Sequence, residues 1–265
     1  MRYTFFTLLL VVVSASVSAQ APALLAHRAI YDLALDRAAS GSGVIGARGR
    51  LVMELADSCD GYTLNQRIRN ELRQTGNDYI ADLTVSTWEA SDGSAFRFSS
   101  RHVVNDKTVE EILGRANGAT NAGESEADFK KPSEKKLVLP RETIFPTQHA
   151  LLLLERAALG EKFVRATVFD GSSAEGLQAT SAVILEHFPR GTYKGKGNGT
   201  LAQLESWRMQ IAYFKIDTAG GDSQPEYEVA FRLFENGVST DVTLDYGDFA
   251  LKGVLKVFEP LPSNC

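Results

Sequence analysis

The sequence contains few cysteines and histidines, and none of them forms a short metal-binding or redox motif. Two of the 265 residues are cysteine and four are histidine. Cys59 and Cys265 lie far apart, so the CxxC spacing of redox catalysts is missing. The histidines at positions 27, 102, 149 and 187 are scattered as well, without the spacing of a zinc site. We therefore expect no metal and no cofactor.

Long hydrophobic runs are also missing. The apolar stretch at residues 5–13 is much shorter than the roughly 20 residues that span a bilayer. It follows Arg2 and is followed by small residues up to Ala19, which is typical of a signal peptide removed before Gln20. The sequence thus predicts a leader at 1–19 and an exported periplasmic chain at 20–265, without a transmembrane span. A retained signal anchor is the alternative.

Net charge and cysteine count limit the partners and the chemistry further. The formal charge is −5, and loss of Arg2 with the leader makes it more negative. This acidity argues against nucleic acid as a partner. An even number of cysteines in an exported chain predicts a disulfide, here between Cys59 and Cys265, with a free terminal thiol as the alternative.

Three short motifs resemble functional sites but stand in the wrong context. Residues 41–46 match G-x-G-x-x-G, yet a strand-like segment follows where a dinucleotide site needs a helix. Residues 221–225 resemble the surroundings of a hydrolase serine, but the usual next glycine is Gln224. Acidic residues at 124, 126 and 128 lack the spacing of a calcium loop. We interpret all three as turns or loops, while a site assembled by the fold stays open.

Strand patterns dominate the chain, and one helix interrupts them. Alternating apolar residues predict successive half-buried strands from residue 27 onward, and Asn236-Gly237 predicts a type I′ hairpin. Residues 117–136 are rich in Gly, Asn, Glu and Lys and predict a long excursion with a short strand near 127–129. Several strands carry aromatic residues on both faces, which favours an occupied concave side and a second contact surface.

The helix is predicted at residues 145–160. Thr147 suits its N-cap and Gly160 the left-handed position after its end. Four consecutive leucines, 151–154, surround its axis, which indicates a buried helix. The predicted fold is mainly β: a single large curved antiparallel sheet, spiral-like, wrapped around one principal α-helix. A helix that plugs one end of an ordinary barrel or sandwich is the alternative.

Five segments resemble the cell envelope integrity protein EipB family, an exported alphaproteobacterial family first described as a domain of unknown function. They are residues 27–33, 47–54, 59–63, 145–149 and 259–265, with Cys59-Asp-Gly-Tyr and the terminal Cys265 as the most specific parts. The resemblance implies a periplasmic protein with a spiral-like sheet, a disulfide carried onto Cys59 and Cys265, and a non-catalytic role in the envelope. It supplies no catalytic residues.

The resulting hypothesis is a non-enzymatic periplasmic protein that supports envelope integrity through contacts with another envelope protein. One alternative is a carrier or sensor that holds a lipid or other apolar envelope ligand in the curl of the sheet. A hydrolase acting on envelope polymers is the other alternative.

Overall fold

The computed structural model describes residues 23–118, 125–173, 176–216 and 224–263. Every strand in these ranges belongs to one sheet of 15 strands. The predicted leader at 1–19 lies outside the described residues. Its removal, and the 20–265 boundary that depends on it, therefore stay predictions.

Eight strands form the first half of the sheet, and each is the antiparallel neighbour of the next. The period of two in the sequence places Ala29, Tyr31 and Leu33 on the inner face, where all three are buried. The strands are β1 His27–Ala38, β2 Val44–Asp57, β3 Gly61–Gln74, β4 Tyr79–Ala90, β5 Ala95–Val104, β6 Lys107–Asn117, β7 Ser125–Lys131 and β8 Lys135–Leu139.

The second half contains the principal helix and the remaining seven strands. Its short first strand runs parallel to β10, and the strands from β10 onward form a second antiparallel meander. The elements are β9 Thr143–Ile144, α1 Pro146–Ala158, β10 Phe163–Phe169, β11 Leu177–Phe188, α2 Asn198–Leu201, β12 Ser206–Lys215, β13 Tyr227–Phe234, β14 Ser239–Asp245 and β15 Phe249–Pro260.

The two halves join through the first and last strands of the chain. β1 pairs with β15 from His27↔Pro260 to Ala38↔Phe249, so the termini of the fold meet in the middle of the sheet. β8 and β9 are its two ends, and no ladder among the described residues connects them. The sheet curls until these ends face each other across a core. This confirms the predicted curved antiparallel sheet around one helix.

The end of α1 follows the sequence prediction, but its beginning does not. Gly160 has φ +78°, its N–H donates to the Ala157 carbonyl at 3.0 Å, and the Glu161 N–H donates to Arg156 at 3.0 Å. These are the bonds of a Schellman ending. The N-cap is Phe145 rather than Thr147, and its side chain makes no capping bond.

The helix is not buried all round, which corrects a second expectation. Leu153 and Leu154 are 2% and 3% exposed, whereas Leu151 and Leu152 are half-buried. Successive residues turn by about 100° around a helix, so four consecutive leucines point in every direction. The sheet contacts only part of that circumference, and the remaining side stays partly open.

Two loop predictions are also wrong in detail. The segment at 117–136 contains all of β7 and the start of β8, whose polar appearance comes from side chains on the outer face. Lys136, for example, pairs with Glu126 at 2.6 Å. At Asn236-Gly237 only the glycine has positive φ, and the Phe234 N–H donates to Val238 at 2.9 Å. The connection is therefore a three-residue loop and not a type I′ turn.

Candidate functional site

Five phenylalanines, which we call the phenylalanine cluster, fill the space between the two ends of the sheet. The rings of Phe96 and Phe145 lie 4.9 Å apart, and those of Phe98 and Phe169 lie 5.3 Å apart. None of the five is more than 4% exposed. The cluster joins the two halves of the chain, because its members come from β5, β7, the start of α1 and β10: Phe96, Phe98, Phe129, Phe145 and Phe169.

A second, mainly aliphatic core surrounds α1, and we call it the helix seat. Leu153, Leu154 and Ala157 are buried there against residues of β2 on one side and of β10 to β13 on the other. Helix and sheet thus share one core inside the curl. The sheet residues of the helix seat are Leu55, Val164, Ala182, Ile184, Trp207, Met209, Ile211 and Leu233.

Glu89 of β4 binds the N-terminus of α1. It is 1% exposed, and its carboxylate accepts the N–H groups of Thr147 at 2.7 Å and Gln148 at 2.8 Å. The first N–H groups of a helix have no partner inside it and carry partial positive charge, which a carboxylate satisfies. Burial raises the pKa of Glu89, while the two backbone hydrogen bonds oppose that rise. Glu89 therefore performs the capping that the sequence predicted for Thr147.

His149 lies in the first turns of α1 and has a structural environment. It is 5% exposed, and its Nε2 lies 3.4 Å from the Thr180 hydroxyl on β11. Burial lowers the pKa of His149 to about 4, so the ring is neutral near pH 7. His149 is thus a buried, hydrogen-bonded structural residue.

The open side of α1 continues into a half-buried apolar surface on the inside of the sheet, which we call the lumen face. Leu151 and Leu152 contribute from the helix. Tyr213 and Tyr227 stack at 4.4 Å between ring centroids, and burial raises the pKa of both phenols. The remaining residues that pack here are Tyr62, Leu64 and Phe231.

An open cleft of about 660 Å³ lies where β2, β3 and β4 approach the β5–β6 turn. Leu72 and Tyr79 contribute apolar surface, and the charged residues are Arg48, Glu71, Arg73 and Asp78. Arg48 and Glu71 already pair with each other across β2 and β3. The cleft thus combines a small apolar floor with a charged rim that is partly neutralised.

The structure describes Cys59, the first of the two predicted disulfide partners, and the chain up to residue 263. Cys59 stands in the turn between β2 and β3 with φ +66°. The carboxylate of Asp57 accepts the Cys59 N–H at 3.0 Å and the Ser263 hydroxyl at 3.3 Å. The end of the chain is therefore held beside the Cys59 turn. Cys265 lies outside the described residues, so the pairing stays a prediction.

The three short motifs that resembled functional sites in the sequence have different outcomes in the structure. Residues 41–43 lie in the hairpin loop between β1 and β2, with Gly41 and Gly43 at positive φ, and residues 44–46 already belong to β2, so a strand follows as expected. The serine-containing segment begins outside the described residues. Glu126 and Asp128 pair with Lys136 on the surface. Over the described ranges, no group of three or more acidic, histidine or cysteine side chains is arranged to bind a metal.

Among the described residues, none of the helices has both the length and the apolar character that crossing a membrane requires.

The curled sheet, its internal helix and the two cores define a class of β-barrel-like proteins, and comparisons with known proteins identify the family. The EipB-like family matches residues 18–262. A crystal structure of a β-barrel-like protein of a domain of unknown function from Brucella abortus superimposes with a TM-score of 0.82. It is 36% identical and covers 91% of this chain and 100% of its own.

A curated relative agrees with this assignment. The cell envelope integrity protein EipB of Brucella abortus (strain 2308) is 37% identical over 244 residues, which are 91% of this chain and 86% of the relative. The chain belongs to the EipB-like family. The name of this relative agrees with the sequence hypothesis of a role in cell envelope integrity at this general level.

Proposed function

We propose that this chain is a non-enzymatic periplasmic protein that supports the integrity of the cell envelope by binding another envelope protein. Support for the envelope role comes from the match to the EipB-like family and from the relative that is named a cell envelope integrity protein. The observation that favours protein contacts is an apolar patch on the outside of the sheet, at the end formed by β9 and β10. Large exposed apolar patches on soluble domains are typical of interaction sites.

The patch, which we call the edge patch, consists of Phe163, Val183 and Leu185. Phe163 is 72% exposed and Leu185 is 52% exposed. Val183 lies directly opposite Phe163 in the β10–β11 register, so their side chains share one face. The core is already filled by other residues, and these side chains remain available for a partner.

The buried acid and base groups support a non-catalytic role. Glu89 is occupied by two helix N–H groups, and His149 is paired with Thr180. The Nδ1 atom of His27, another fully buried ring, lies 2.7 Å from the Leu25 carbonyl. A general acid or base must instead reach a substrate proton. These three groups hold the fold together.

A complementation experiment tests this proposal. Deletion of the gene should make the host cell sensitive to detergent, and expression of the complete chain should restore resistance. A chain without residues 1–19 should accumulate but fail to restore it, because it remains in the cytoplasm. Restoration by this leaderless control would contradict a periplasmic role.

A second candidate function, a carrier of an apolar ligand, is favoured by the lumen face. Half-buried leucines and tyrosines inside a curled sheet are the lining that such a ligand needs. If the chain is a carrier, mass spectrometry of an organic extract of the periplasmic protein should detect a stoichiometric lipid. Leu152→Asp should abolish that lipid, while Leu185→Asp on the outer face serves as the matched control. An extract without lipid would reject the carrier.

A further inference from the structure

β10 has an edge that its neighbours cover only in part. On one side it pairs with β11 along its whole length, from Phe163↔Val183 to Phe169↔Leu177. On the other side, β9 pairs only with Thr167 and Val168. The chain before β9 turns away, since the Thr143 N–H donates back to the Pro140 carbonyl at 2.9 Å. Among the described residues, the first half of β10 thus has no strand partner on this side.

The hydrogen-bond pattern shows which backbone groups face this gap. The Ile184 N–H donates to Lys162 and the Asp170 N–H donates to Gly176, so the even-numbered residues of β10 bond to β11. In an antiparallel pair the alternate residues point their N–H and C=O groups the other way. Phe163 and Arg165 therefore direct these groups outward. Among the described residues, the strand on that side, β9, pairs only with Thr167 and Val168, so these four backbone groups have no ladder partner.

Side chains around this edge add apolar surface and positive charge. Phe163 stands on the outer face with Val183 and Leu185 beside it. Lys162 and Arg165 are exposed, and neither forms an ion pair within the described part of the chain. A strand that lies along the edge would meet an apolar position next to Phe163 and a cation next to Arg165.

The opposite end of the sheet is constructed differently. β8 presents two lysines along its length, and Lys136 pairs with Glu126 at 2.6 Å. Charged residues, lysine above all, are the usual protection of an edge strand against pairing with other chains. The β10 edge instead exposes an aromatic ring beside its open backbone groups.

We propose that the edge of β10 at Phe163 and Arg165 is a strand-addition site for an extended acidic–apolar peptide of a partner protein. The inference depends on the proposed envelope role, for which it supplies the contact surface. The peptide pairs its backbone with the four open groups and places an apolar side chain beside Phe163 and a carboxylate beside Arg165. The positive charge of the edge selects acidic partners over basic ones.

A defined peptide tests this inference on the mature chain. The probe is a blocked heptapeptide in which a valine and a glutamate stand two residues apart, so that both side chains lie on the face that Phe163 and Arg165 share. Its first control carries N-methyl groups on the backbone nitrogens of one edge, and its second replaces glutamate by lysine. Amide hydrogen exchange, followed by NMR, should show new protection at Phe163 and Arg165. Both control peptides should bind at least about tenfold more weakly, because they lose hydrogen bonds or charge pairing.

Matched variants locate the site. Phe163→Lys should weaken binding of the valine–glutamate peptide at least about tenfold, since it removes the apolar contact and charges the edge. Arg165→Glu should reverse the preference toward the lysine peptide. Val138→Lys is the control on β8, because Val138 is also exposed (61%) but lies at the other end of the sheet. This control should bind normally.

Three results would overturn the inference. The first is equal binding of the N-methylated peptide, and the second is unchanged exchange at the two amides. The third is a dimer in sedimentation that Phe163→Lys dissociates, since a second copy of the chain would then occupy the edge.

A cellular measurement separates this inference from the proposed function. If folded Phe163→Lys protein restores detergent resistance as well as the wild type, strand addition is rejected and the envelope role stands. If the wild-type chain fails to restore resistance while the peptide binds as described, the envelope role is rejected and the binding site stands.

Discussion

The phenylalanine cluster and the helix seat are both cores inside the same curled sheet, yet they are packed to different degrees. Every ring of the cluster is almost completely buried, and its members come from both halves of the chain. In the helix seat, Leu153 and Leu154 are buried while Leu151 and Leu152 remain half exposed. One core is closed on all sides, and the other has an open side.

This difference in packing follows from which parts of the molecule each core holds together. Over the described part of the chain, the two ends of the sheet share no hydrogen-bonded ladder. Apolar contacts must therefore hold them together, and the aromatic rings supply large buried area there. α1 is already held by Glu89 at its beginning and by two faces of the sheet. The helix seat can therefore leave one side open, where the lumen face lies.

The largest expected effect concerns the closed core. Phe169→Ala should lower the free energy of unfolding by about 3–5 kcal/mol, because Phe169 is 0% exposed and contacts four other rings. Urea denaturation measures the change. Phe163→Ala, six residues earlier on the same strand but exposed, should be nearly neutral. Similar losses in the two variants would contradict the conclusion that the phenylalanine cluster is a closed core.

The helix seat should make stability depend on pH through His149. Its pKa is lowered to about 4, below the 6.5 of an unfolded chain, so the unfolded state takes up the proton first. The contribution of neutral His149 to the free energy of unfolding is therefore complete above pH 6.5. It falls by roughly 3 kcal/mol as the pH decreases toward 4. The stability difference between wild type and His149→Gln should shrink accordingly between pH 7 and pH 4.

His102→Gln on β5 is the matched variant for that series, and it should retain the pH dependence of the wild type. A constant difference between wild type and His149→Gln at every pH would show that His149 does not titrate differently in the two states.

The proposed disulfide would tie the chain end to the β2–β3 turn, beside the strand that supplies Leu55 to the helix seat. We expect Cys59→Ser to reduce stability by roughly 2–4 kcal/mol. Wild-type protein in excess reductant should lose the same amount, and the variant should not respond to reductant. Peptide mapping without reductant that recovers two free thiols from periplasmic protein would reject the pairing.

The smallest expected difference is the one between the buried and the half-buried leucines of α1. Leu153→Ala and Leu154→Ala should each cost about 2–5 kcal/mol, and Leu151→Ala and Leu152→Ala roughly 1–2 kcal/mol, because half-buried side chains lose less buried area. Chemical denaturation of the four variants gives the order. Equal costs would mean that the helix seat is as closed as the phenylalanine cluster.

Local signals in the sequence predicted the elements that depend on neighbouring residues. Gly160 ends α1 as expected, and the glycines at 41 and 43 form a hairpin loop and not a nucleotide site. Period-two alternation identified most strands. β8 was missed because its five residues include two lysines and lie at the end of the sheet, where one-sided burial leaves little apolar pattern.

By itself, the sequence determined the strand-rich class, the single principal helix and the family resemblance, since each depends on short-range pattern or on particular residue strings. Only the tertiary structure decided that Glu89, 58 residues before Thr147, caps the helix, that β1 pairs with β15, and that β10 keeps an open edge. Those arrangements arise from contacts between distant segments, whose partners are selected by burial and hydrogen bonding in the folded chain rather than by local pattern.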